Sequence, residues 1–147
     1  MSLTNTLQAI QTILQGVSGV ANVYDTVRNW QTEKQFRDAA RTAAGAIQFW
    51  FVTREATAGE DLGPQFTARK HTLALHGYYG VNDAAASEKT FQALVESVVA
   101  ALAADRHLSQ TARHSGPAQV RALDLRVLNN VLCHHAEVAL EVEEKPA

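Results

Sequence analysis

Residues 71–102, HTLALHGYYGVNDAAASEKTFQALVESVVAAL, switch from a two-residue apolar period to a helical one across a polar turn, and that switch decides the fold. In the extended half, Leu73 and Leu75 share a face with Thr67, Arg69, His71, Gly77 and Tyr79, while Thr72, Ala74, His76 and Tyr78 point the other way. Both faces are therefore expected to be largely covered. Gly80, Asn82 and Asp83 break the strand, and Ser87 stands where a helix N-cap belongs, its hydroxyl suited to accept a first-turn N–H. Phe91, Leu94, Val95, Val98, Val99 and Leu102 then line one helical stripe. Burying that stripe contributes roughly 1.5 to 3 kcal/mol per side chain as an upper bound, enough to dock the helix on a sheet. A strand-turn-helix unit of this kind is scaffold, with no chemistry in it.

Upstream, Leu3, Leu7, Ile10, Ile13, Leu14 and Val17 recur at helical spacing behind Ser2 or Thr4, and Gly16 and Gly19 bracket the exit, which predicts an amphipathic N-terminal helix. Residues 20–24, VANVY, read as a brief strand that places Tyr24 and Asp25 at an edge. The run from Thr32 to Gly45 mixes good helix formers around one large apolar residue, Phe36, and reads as a surface helix or a partly ordered loop with a stop at Gly45. Residues 46–55, AIQFWFVTRE, alternate Ile47, Phe49, Phe51 and Thr53 against Gln48, Trp50, Val52 and Arg54, a strand signature. The polar, glycine-bearing stretch 56–65, ATAGEDLGPQ, predicts a solvent-exposed hairpin loop.

Downstream of the long helix, residues 105–117 are polar and read as a flexible connector, mobile before assembly. Val120 to Leu128 and Val131 to Val142 flank Asn129 and Asn130, a pair suited to left-handed turn geometry, and predict a closing antiparallel hairpin. In its last strand His134, Ala136, Val138, Leu140 and Val142 face one way and Cys133, His135, Glu137, Ala139 and Glu141 the other, so one side is expected to be core and the other largely wet or covered by a partner. Residues 143–147 read as a frayed terminus. The order of elements predicts a single α+β domain over residues 1–147: an N-terminal helix, a small mostly antiparallel sheet, a long amphipathic helix on one face and a C-terminal hairpin.

Size and composition agree with one soluble core. The chain has 147 residues, 46% of them apolar and 19% charged, and no apolar run approaches the roughly 18 residues a membrane span requires. The start, MSLTNTLQAIQ, has no basic segment leading into an apolar core, so cytoplasmic synthesis without export is expected. A net charge of −2 argues against a general polyanion-binding role. The lone cysteine, Cys133, excludes an internal disulfide and reads as a small buried hydrophobe.

Tests for chemistry come back negative. His71 and His76 are five apart on a strand and point to opposite faces, as do adjacent His134 and His135, so neither pair chelates as it stands. A site assembled across strands, for example His71 with His135, has no acidic third ligand specified by spacing. Ser115-Gly116 lacks a nucleophile elbow, Cys133 and His134 point apart, and Gly16 and Gly19 are too sparse for a phosphate loop. No enzyme activity, cofactor or metal is expected. Aromatics on strands are usually core, yet Trp50 shares a face with Gln48 and Arg54, which makes it a candidate interface anchor as well.

In order, LTNTLQAIQTILQ leading to a Gly-Val-x-Asn-Val-Tyr strand, then IQFWFVTRE, the 71–102 unit, and a hairpin ending in CHHAEVALEVEE resemble the tail-terminator and tail-completion proteins of long-tailed bacteriophages over nearly the whole chain. The segments GYYGVNDAAASEKTFQALVE and HHAEVALEV carry most of the likeness. The resemblance implies a structural virion subunit, assembled in the host cytoplasm, that forms a ring, typically hexameric, on the end of the tail tube. That ring stops tube polymerisation, meets the head–tail connector or head-closure protein, and passes DNA through its lumen without sequence-specific binding. Such a ring needs contacts between unlike patches of each subunit. Candidate contacts are Trp50 and Arg54, Glu60 and Asp61 in the 58–65 loop, and Arg106, His107, Arg113 and His114 in the connector. A head–tail joining or head-closure protein is the alternative within the phage neck. A small ligand- or metal-binding domain using the sheet-face histidines is the alternative of another class.

Overall fold

The computed structural model describes residues 3–27, 30–42, 46–63, 66–82 and 86–144, with 60–63 and 66–68 followed through the backbone alone. Its elements run α1 (Leu3–Gln15), β1 (Val23–Tyr24), α2 (Glu33–Ala40), β2 (Gln48–Gly63), β3 (Phe66–Gly80), α3 (Ser87–Ala104), β4 (Ala112–Ser115), β5 (Gln119–Leu128) and β6 (Val131–Glu144). The fold is α+β. One sheet orders its strands β1-β2-β3-β6, with β3 on one side of β6 and β4 and β5 succeeding each other along the other side. Every pairing is antiparallel except the short parallel contact of β1 with β2.

The period switch at residues 71–102 builds the main core as read. Leu73 and Leu75 of β3 pack with Val138 and Leu140 of β6 beneath Phe91, Leu94, Val95, Val98 and Leu102 of α3, while Ile10 and Leu14 bring α1 onto the same face. The opposite face has its own smaller core. There Phe36 from α2, fully buried, meets Phe49 and Trp30 edge-on, and Phe49 stacks on Tyr78. The run beginning at Thr32 is therefore a docked helix, with the Thr32 hydroxyl accepting the Gln35 N–H as its N-cap.

Several expectations need correction. Trp50 is no interface anchor: it is fully buried beside Phe91, and its Nε1 donates to Gln48 Oε1 at 2.8 Å. Gln48, itself buried, also receives the Ala21 N–H and donates to Gly19 O, so this "polar" side chain is satisfied inside the core. Ser87 is the first helical residue rather than the cap. Its hydroxyl accepts the N–H of Asn82, outside the helix, and the residue before it, Ala86, takes the left-handed conformation.

Residues 56–63 are paired strand, not loop, because β2 and β3 continue their ladder out to Gly63 and Phe66. The 105–117 stretch carries β4 and a turn in which Leu108, Ser109 and Gln110 all have positive φ. Left-handed backbone costs about 1 to 2 kcal/mol per residue. Complete burial of Leu108 and the bonds from Arg106 Nε to Ser115 O and from Ser115 Oγ to Arg106 O offset it. At the other ends, the first strand is shorter than 20–24, and Glu143 and Glu144 belong to β6 rather than to a frayed tail. The Gly45 stop, Asp83, the Pro64-Gln65 turn and residues 145–147 lie outside the described residues.

Candidate functional site

Two places on the molecule remain once the cores are assigned. The first is the β5 edge. Asn129 and Asn130 both have positive φ, the geometry of a two-residue hairpin turn, and they fix the pairing Leu128↔Val131, Leu125↔His134 and Asp124↔His135. That register puts Leu123, Leu125 and Val127 on the face that carries α3, but beyond the reach of the helix. They are 53%, 57% and 65% exposed, and Val120 and Leu132 extend the row. Leu123 and Leu125 border a groove whose opposite wall is Glu88, Phe91 and Gln92 of α3. Among the described residues no strand pairs with the outer edge of β5, nor with the outer edge of β2 beyond Phe51. The sheet thus ends in two open edges of different character: apolar at β5, and small or charged at residues 53–59 of β2.

The second place is a row of titratable groups on the other face. Asp124 Oδ1 lies 2.7 Å from His135 Nδ1, and His135 Nε2 lies 3.0 Å from His76 Nδ1. His76 Nε2 in turn faces Glu137 Oε1 at 3.6 Å. Arg121 Nη2 joins Glu137 Oε1 at 3.3 Å to Glu55 Oε2 at 2.7 Å. Glu55 and Arg121 each sit at a break in strand register, between Arg54 and Ala56 and between Val120 and Ala122. Such bulges re-aim side chains, here onto the histidine face. Burial holds both imidazoles below the ordinary histidine value. The neighbouring His135 lowers His76 further, whereas the hydrogen bond to Asp124 works against the shift of His135. The His135 hydrogen bond keeps the Asp124 carboxyl low, and the Arg121 hydrogen bond does the same for Glu55.

The residues expected to act are scattered by comparison. Arg54 is exposed on β2, and Glu60 and Asp61 lie in the same strand opposite Ala68 and Thr67, their side chains outside the described residues. Arg106 and His107 are engaged in closing the β4 turn, the latter through a 2.9 Å contact of Nδ1 with Arg113 O. Arg113 pairs with Glu143 at 3.2 Å, and His114 is exposed opposite the same glutamate. The structure brings these last four together around β4 and leaves Arg54 three strands away, on the far side of β6 and β3. His71 does not meet His135. It is buried on the α3 face, between Thr57 Oγ1 at 2.8 Å and Glu144 Oε2 at 3.2 Å.

What sequence reading missed was Asp124, Arg121 and the exposed β5 row. The Asn129-Asn130 turn was signal enough for two of these, since a two-residue loop fixes Asp124 opposite His135 and puts Leu123 and Leu125 on one face. The bulge at Arg121 has no such signature. Cys133 behaves as expected, buried, with its thiol pushed up to about 11 by that burial. No helix among the described residues is long and apolar enough to cross a membrane. No protein-family model and no curated protein matches the chain.

Proposed function

We propose that this chain is a structural virion subunit of a long-tailed phage, a tail-terminator or tail-completion protein that closes into a ring on the end of the tail tube. The observation that carries this reading is the β5 edge. Isolated exposed leucines are ordinary on soluble proteins, but Leu123, Leu125 and Val127 form a continuous row on a strand whose outer edge pairs with no strand among the described residues. Such an edge invites pairing with another chain. Covering each half-exposed side chain contributes about 1 kcal/mol.

The occupant is a second copy. The β2 edge, at the far side of the same sheet, offers free strand backbone at residues 53–59, where the side chains other than Arg54 and Glu55 are small and leave room for the leucines. A contact between two unlike edges is heterologous, so it repeats by rotation and ends growth when the ring closes. Closure with a fixed number of subunits is what a cap on a polymerising tube requires. The resemblance of the sequence to tail terminators supports the same reading, and with it a ring that in that family is typically sixfold. The tail tube protein below and the head–tail connector above are its neighbours, and DNA passes through the lumen.

Electron microscopy of virions assembled without the protein tests the proposal. Overlong tails are the expected result. Tails of normal length unattached to heads would assign it a joining or head-closure role instead, and normal virions would remove it from the neck altogether.

A further inference from the structure

We propose that Glu55, His76 and Glu137 form a binding site for a divalent transition-metal ion of the zinc class on the face of the sheet opposite α3. The potential ligand atoms of these three residues all lie within 4.8 Å of one another. Two ligands of a tetrahedral zinc ion stand about 3.3 Å apart, given metal–ligand bonds of about 2.0 to 2.1 Å. His76 Nε2 and Glu137 Oε1, at 3.6 Å, are already near that spacing. Glu55 closes the remainder by a side-chain rotation, and three protein ligands leave a fourth position open.

The hydrogen-bond chain behind His76 determines what its free nitrogen presents. The carboxylate of Asp124 only accepts, so His135 Nδ1 carries a proton and donates to it. Neutral His135 then offers a lone pair at Nε2, which obliges His76 Nδ1 to donate. Neutral His76 is left with a lone pair at Nε2, aimed at two carboxylates. Three acceptors facing one another call for a cation. The Asp124–His135–His76 series also supplies what metal-binding imidazoles regularly have: an acceptor for the second ring N–H, fixing tautomer and orientation.

Arg121 is the cation now present, bridging Glu55 and Glu137. It is partly exposed, sits on a bulge of the edge strand, and carries one charge for two carboxylates. A guanidinium in that position competes with a metal ion rather than completing its site. This gives the proposal a signature that a mere salt-bridge cluster lacks, since removing the arginine then improves binding.

Calorimetric titration of the chelator-treated full chain with zinc, repeated with cobalt to follow its visible absorption, tests the site. The expected result is one ion per chain in the wild type, with affinity falling at least roughly 100-fold in His76→Gln and Glu137→Gln and roughly 10- to 100-fold in His135→Asn. Arg121→Ala is expected to bind more tightly, a gain that misfolding cannot imitate. Absence of stoichiometric binding, binding undiminished in His76→Gln, or weaker binding in Arg121→Ala would each overturn the proposal. Because the site lies on the opposite face from the β5 row, Leu123→Asp is expected to leave zinc affinity unchanged even if it abolishes assembly.

Discussion

At the scale of single residues, the contact between Trp50 and Gly77 shows how one side chain commits a neighbour. Trp50 pairs with Gly77 across β2 and β3, and a Cβ built at Gly77 collides with the six-membered ring of the indole. Gly77→Ala is therefore expected to lower stability by about 1 to 3 kcal/mol through overpacking. Urea unfolding followed by fluorescence should show an earlier midpoint at unchanged slope, and an unmoved midpoint would contradict the packing described. Gly77 was placed correctly with Leu73 and Leu75 from its alternation alone. Trp50 was not, because Gln48 and Arg54 on the same face made that face look wet. Gln48 is in fact an internal polar residue whose amide is used up by Trp50, Ala21 and Gly19, and only tertiary contacts reveal that.

At the scale of elements, legibility followed how strongly each segment's residues bias their own backbone. The α3 stripe, the α1 helix and the Asn129-Asn130 hairpin were all readable, since apolar period and turn chemistry specify them locally. The outer half of the β2–β3 ladder and the β4 turn were not. Their strands are held by backbone hydrogen bonds and by tethers such as Arg106 to Ser115, which polar sequences make as readily as loops do. The β3–β6–β5 strands also set a pH dependence. His76 and His135 stay neutral in the fold to lower pH than their ordinary value of 6.5. Below pH 6.5 the unfolded chain accordingly binds more protons than the folded one, so stability falls on acidification through that point. The lowered carboxyls of Glu55 and Asp124 continue the fall at more acid pH. With a chelator present, urea midpoints should drop steadily from about pH 7 to about pH 5, whereas a flat profile would mean the two rings are not held neutral.

At the scale of the whole molecule, the α+β architecture was legible and the surface was not. Sequence periodicity reports which side chains face a sheet or a helix, and it is silent on where a helix of given width stops covering its strands. Here α3 leaves β5 uncovered, and an edge that would be a liability on a solitary subunit is, in the proposed ring, the means of assembly. Sedimentation velocity of the purified protein, alone and mixed with tail tubes, beside a Leu123→Asp, Leu125→Asp variant of unchanged circular dichroism, tests this most directly. The wild type should be found in closed rings, free or on tube ends, and the variant should remain monomeric in both settings. A wild type that stays monomeric and ignores tube ends, or a variant that assembles equally well, would contradict the role assigned to β5.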